Sequence, residues 1–241
     1  MTDKTAGVIG GMGPDATVDF MAKVIAATPA GKDQDHVRLL VDQNPKVPDR
    51  QAAQAGVGED PGPVMATMAK GLEQAGADFL VMPCNMAHVF AKPVRDAVSI
   101  PLVSIIDVTV DACRQHDVIG VLTTPGCLAA GVYQDALSAA GLGTVLTDDA
   151  EVAELMRLVT AIKAGDRSEP IARGMQSLAA MLVEKGAKAI IAGCTEIPLV
   201  LTPDLLDVPL VSSTDVLAEV TVAIAIGDRS LDRRHEQRQL R

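Results

Sequence analysis

Two stretches of this chain repeat one another, and the repeat limits what the chain can fold into. Gly76-Ala-Asp-Phe-Leu-Val-Met-Pro-Cys84-Asn and Gly186-Ala-Lys-Ala-Ile-Ile-Ala-Gly-Cys194-Thr each run from a Gly-Ala turn through an apolar segment to a cysteine. The two cysteines lie 110 residues apart. Downstream, Pro101-Leu-Val-Ser-Ile-Ile-Asp107 echoes Pro209-Leu-Val-Ser-Ser-Thr-Asp215 at an offset of 108. Upstream, Gly7-Val-Ile-Gly-Gly11 matches Gly120-Val-Leu-Thr-Thr124 at an offset of 113. Three landmarks in the same order imply a duplicated unit. Each copy then delivers one thiol to an equivalent position about a pseudo-twofold axis.

Short apolar runs bounded by Gly and Pro alternate with helical patterns, which predicts buried parallel strands and an α/β fold. Strands are predicted over residues 6–10, 37–42, 78–82, 118–122 and 189–192. Helices are predicted over 15–27, 63–75, 132–140, 151–164 and 169–185. Aromatic residues are only 2% of the chain, so aliphatic residues and Met must build the core. The net charge of −10 argues against nucleic acid or an anionic membrane as partner. No apolar run reaches membrane-spanning length, because the strongest candidate, 216–226, contains Glu219. The first residues do not read as a signal peptide, and a cytoplasmic location is expected. Residues 227–241 are dense in Arg and Asp and read as a charged tail. The remaining cysteines, Cys113 and Cys127, form no CxxC with the others, and the spacing fits neither a zinc site nor a disulfide framework.

Cys84 and Cys194 each follow a predicted strand, at the carboxyl edge where open α/β sheets bind ligands. Each is also expected to precede a helix, whose N-terminal dipole would lower the thiol pKa. Asn85 and Thr195 follow directly, and either cap those helices or bind a carboxylate and its developing oxyanion. Gly11-Met-Gly-Pro-Asp-Ala16 fits a dinucleotide pattern, but a carboxylate-binding turn needs the same glycines. Arg50 follows the second strand and offers a bidentate guanidinium, or else a solvated charge. Lys163 sits where a helix ends, a place that favours cations in any case. His88 lies one turn past Cys84 and either orients that site or packs. Glu196 either tunes Cys194 or caps its helix. Thr124 and Cys127 lie in the glycine turn of the second unit, while Cys113 reads as helix packing.

At these residues the chain resembles the aspartate/glutamate racemase family, closest to its aspartate racemases, which are independent of pyridoxal phosphate. The stretches that carry the resemblance are Ile9-Gly-Gly-Met-Gly-Pro14, Asp42-Gln-Asn-Pro-Lys-Val-Pro-Asp-Arg50, Met82-Pro-Cys-Asn-Met-Ala-His88, Ile162-Lys-Ala-Gly165 and Ala192-Gly-Cys-Thr-Glu-Ile197. The resemblance implies two Rossmann-like domains facing across a cleft, residues 1–104 plus 209–226 and residues 105–208. It implies Cys84 and Cys194 as the two acid/base residues, one on each face of the substrate Cα. Gly11, Met12, Arg50, Asn85, Met86, Thr124, Lys163 and Thr195 would contact a small acidic amino acid, with His88 and Glu196 auxiliary. No cofactor and no metal are implied, and a homodimer is. The family usually has Thr at the positions of Met86 and Cys127, so glutamate or cysteate stays open beside aspartate. Hydantoin racemase, maleate isomerase, arylmalonate decarboxylase and a non-catalytic amino-acid sensor are the neighbouring readings.

Overall fold

The computed structural model describes residues 4–231, so most of the expected charged tail lies outside the described residues. The first sheet contains β1 (Ala6–Gly10), β2 (Leu39–Gln43), β3 (Phe79–Val81) and β4 (Leu102–Val103), all parallel, in the order β2-β1-β3-β4. The second contains β5 (Val118–Leu122), β6 (Gly143–Leu146), β7 (Ala189–Ala192) and β8 (Leu210–Ser212), in the order β6-β5-β7-β8. The two orders are equivalent, so the repeat in the sequence is a repeat of topology. The α/β class with two parallel sheets is as expected. Strands β4, β6 and β8 were not anticipated. β4 and β8 are only two and three residues long, too short to show a period.

The helices of the first half are α1 (Pro14–Ala27), α2 (Arg50–Gln54), α3 (Gly62–Gln74) and α4 (Ala91–Ala97), followed by α5 (Ile105–Ala112). Those of the second are α6 (Pro125–Ala129), α7 (Val132–Ala139), α8 (Asp149–Lys163) and α9 (Glu169–Glu184), followed by α10 (Ser213–Ile226). α3 buries Met65, Met68, Ala69 and Leu72, and α9 buries Met175, Leu178, Ala179 and Leu182, the same stripe at three- and four-residue spacing. Both end alike. Gly76 at φ +95 and Gly186 at φ +105 take the left-handed conformation, and Ala77 and Ala187 donate back to the carbonyls of Leu72 and Leu182. This turn aims the chain into β3 or β7 and sets each cysteine at the carboxyl end of its strand.

The ends of the sheets are also matched. Ser104 caps α5 by accepting from the Asp107 amide, and Ser212 caps α10 by accepting from the Asp215 amide. α5 packs against α7 of the second half, and α10 packs against α1 of the first. These helices, with Val8, Phe20, Phe79, Val121 and Tyr133, form a core shared by both halves. Separate cores lie under α3 and α4 and under α8 and α9. No helix among the described residues is long and apolar enough to cross a membrane.

Candidate active site

The tight turn after β3, where the Cys84 amide donates to the Met82 carbonyl, presents Cys84 to the space between the halves. Cys194 follows β7 in the equivalent place. Both are buried, at 6% and 7% exposure, and both line one small cavity of about 50 Å³. That is room for about three to five water molecules, the scale of a small ligand. Met12, Arg50, Asn85 and Met86 line it from the first half, and Thr124, Lys163, Thr195 and Glu196 from the second. Ten of the twelve residues picked from the sequence therefore meet at one place. Gly11 and His88 stand outside its wall.

The expected electrostatics of the thiols are reversed. The segments after the cysteines are 3-10 turns, Met86–Phe90 and Ile197–Leu199, and such short turns carry little dipole. Burial dominates instead and pushes the Cys84 thiol up, against the nearby Arg50 charge and the Ala87 amide. Cys194 is pushed well above the ordinary thiol value, first by burial and then by the Glu196 carboxylate beside it. Cys194 Sγ donates to Glu196 Oε2 at 3.0 Å, and Lys163 Nζ stands 3.5 Å from Oε1. Glu196, only 4% exposed, is thus a buried carboxylate with a thiol on one oxygen and an ammonium near the other. Burial by itself would lower the Lys163 pKa, but Glu196 and the two thiols outweigh it and hold the ammonium charged. The two thiols are equivalent in frame and unequal in surroundings.

Arg50 opens α2. Its Nη1 donates to the carbonyls of Val47 and Pro48 at 3.2 and 3.0 Å, which fixes the guanidinium against its own loop. Asp49 caps α2 through the amides of Gln51 and Ala52, and those bonds hold its carboxyl below the usual range. Among the described residues Arg50 forms no ion pair within 4 Å, though the Asp49 carboxylate that lines the cavity with it feels its charge. Thr124 Oγ1 is buried in the cavity wall, beside the Cys127 thiol. Met86 Sδ lies 3.6 Å from Cys127 Sγ, so these two sulfurs touch each other across the halves.

His88 is a structural residue. The Ile105 amide donates to its Nε2 at 3.2 Å, so Nδ1 carries the proton and donates to the Cys84 carbonyl at 2.9 Å. Burial pushes its pKa down to about 4, which keeps it neutral. Gly11 is also structural. Its amide donates to Thr17 Oγ1, which leaves that amide unavailable to a phosphate. At φ +91 an added Cβ would lie 2.4–2.6 Å from the Asn44 backbone. Gly11→Ala is therefore expected to destabilise the fold by about 3 kcal/mol or more, read as a lower urea midpoint. An unchanged midpoint would contradict this packing. Sequence reasoning missed Gln51, whose Oε1 accepts the Gly126 amide across the halves at 2.9 Å. It also missed Tyr133 and Ser213, which bond the Asn85 side chain from behind.

The broad-specificity amino-acid racemase RacX of Bacillus subtilis is 27% identical over 231 residues, covering 93% of this chain and 99% of that protein. An aspartate racemase from Picrophilus torridus superposes with a TM-score of 0.84 at 27% identity, covering 98% of this chain and 100% of that one. An aspartate racemase homologue from Pyrococcus horikoshii superposes with a TM-score of 0.74 at 25% identity, covering 92% of this chain and 99% of that one. The sequence profile described as Asp/Glu/Hydantoin racemase matches residues 9–221, which takes in the end of β1, all of β2 to β8 and every residue lining the cavity. A match of that extent makes this chain a member of the Asp/Glu/hydantoin racemase family and an isomerase of the racemase type.

Proposed function

We propose that this protein racemises a small acidic amino acid, aspartate first, by proton transfer between Cys84 and Cys194 with no cofactor. The observation that carries this reading is the pair of frame-equivalent thiols lining one cavity with Arg50 and Lys163. One thiolate removes the Cα proton. The electron pair passes into the α-carboxylate as an enediolate, and the opposite thiol then gives its proton to the other face of Cα. Arg50 offsets the anionic group of the substrate in a protein of net charge −10. The Thr124 hydroxyl and the Asn85 amide supply donors to the carboxylate as charge develops there. The aspartate racemase among its structural relatives supports aspartate. Met12 and Met86 in the wall favour a second reading, a wider substrate range, because thioethers adapt their shape. The same reading divides the chain near the expected bounds, 1–104 with 209–226 and 105–208, but with the second boundary moved from 208/209 to 212/213, because β8 pairs with β7.

L-aspartate, L-glutamate and L-cysteate, each incubated with the protein in D2O, test the proposal. Loss of optical rotation together with deuterium at Cα is expected for aspartate. Rotation that holds steady for all three, with no deuterium at Cα, rules out an acidic amino-acid racemase.

A further inference from the structure

Behind the cavity wall runs a chain of hydrogen bonds that joins the two cysteine loops. Tyr133 Oη donates to Asn85 Oδ1 at 2.6 Å. Asn85 Nδ2 donates to Ser213 Oγ at 3.0 Å, and Ser213 Oγ donates to the Ala192 carbonyl at 2.9 Å. All four residues are buried, Tyr133, Ser213 and Ala192 at 0% and Asn85 at 2%. The chain has one direction. Its last member is a backbone carbonyl, which only accepts, so Ser213 spends its proton there and can only accept on its other side, from Asn85 Nδ2 at 3.0 Å, with Tyr133 also in reach. Tyr133 then meets Oδ1, an acceptor, and the carboxamide has a single orientation.

The two ends of this chain sit beside the thiols. Asn85 directly follows Cys84, and Ala192 precedes Cys194 by two residues. Tyr133 comes from α7 in the second half, and Ser213 opens α10. A carboxamide has two N–H bonds, and Ser213 occupies one. The other belongs to a residue that lines the cavity. We infer that Tyr133 and Ser213 are positioning residues. They hold Asn85 with one N–H free for the substrate carboxylate and keep the Cys84 and Cys194 loops in fixed register. This inference rests on the racemase reading above. Losing the Tyr133 hydroxyl leaves Asn85 Oδ1 buried without a donor and frees the amide to turn its oxygen toward the carboxylate.

The test is a double-mutant cycle on aspartate racemisation with Tyr133→Phe, Asn85→Ala and the pair. Tyr133→Phe is expected to lower kcat about tenfold, while KM changes less than about threefold. In the Asn85→Ala background it is expected to change kcat little, because its effect runs through Asn85. The side-chain amide protons of Asn85, assigned by their loss in Asn85→Ala, should be protected from exchange in the wild type by 15N NMR. They should exchange at least about tenfold faster in Tyr133→Phe. Should Tyr133→Phe fail to fold, Ser213→Ala carries the same comparison. Wild-type kcat in Tyr133→Phe, or a full tenfold loss that persists without Asn85, overturns the inference and leaves the racemase reading standing. A wild-type protein that racemises no amino acid overturns both.

Discussion

Cys84→Ala and Cys194→Ala are each expected to lower racemisation by about a thousandfold or more. Inversion needs a proton carrier on both faces of Cα, and in the proposed mechanism each thiol serves one face. A cavity of about 50 Å³ leaves little space for a water to take over beside a bound amino acid. Loss of one sulfur removes little buried volume, so the fold should survive with a stability change on the order of 1 kcal/mol. Thermal midpoints measured beside the rates separate lost chemistry from lost structure. The surviving thiol still faces the Cα proton of one enantiomer. Each single variant should therefore exchange the Cα proton of one enantiomer in D2O, and the two variants should prefer opposite enantiomers. Either variant keeping wild-type turnover would sink the two-base mechanism.

The parts of the molecule readable from the sequence are those written in periodic or repeated form. The Gly-Ala turns ending α3 and α9 announced β3 and β7, and with them both cysteines. The long helices carried their own three- and four-residue stripes. Arg50 and Lys163 became legible through the family's motifs, since position alone makes either an ordinary surface charge. What stayed hidden depends on contacts between distant segments. Tyr133 and Asn85 are 48 residues apart, Asn85 and Ser213 128, and no local pattern links them. Gly11 and His88 show the opposite case. Both stand next to the site in sequence, yet one packs on the Asn44 backbone and the other braces the Cys84 carbonyl. The thiol electrostatics failed because a helix dipole was expected where the chain makes single 3-10 turns. Burial, which no short motif reveals, decided the sign.

Glu196→Gln is expected to reduce kcat by about a hundredfold for the enantiomer that Cys194 must deprotonate, and by less for the other. Glu196 Oε2 accepts the Cys194 S–H hydrogen bond at 3.0 Å, which places it to take that proton when Cys194 acts as the base. Glutamine can still accept the S–H bond but cannot take the proton. An equilibrium constant of unity keeps kcat/KM equal for the two enantiomers in every variant. An uneven fall in kcat must therefore appear as a matching fall in KM for the slower direction. The pH profile gives an independent sign. Glu196 raises the Cys194 pKa through its charge and its hydrogen bond, so removing the charge should move the limb set by Cys194 to lower pH. The limb set by Cys84 should move less, because Glu196 hydrogen-bonds Cys194 but acts on Cys84 through its charge alone, behind burial, Arg50 and the Ala87 amide. Equal losses of kcat in both directions with an unmoved profile would reduce Glu196 to part of the cavity wall. An uneven loss with a shifted limb would mean that a symmetric fold hands its two protons to unequal partners.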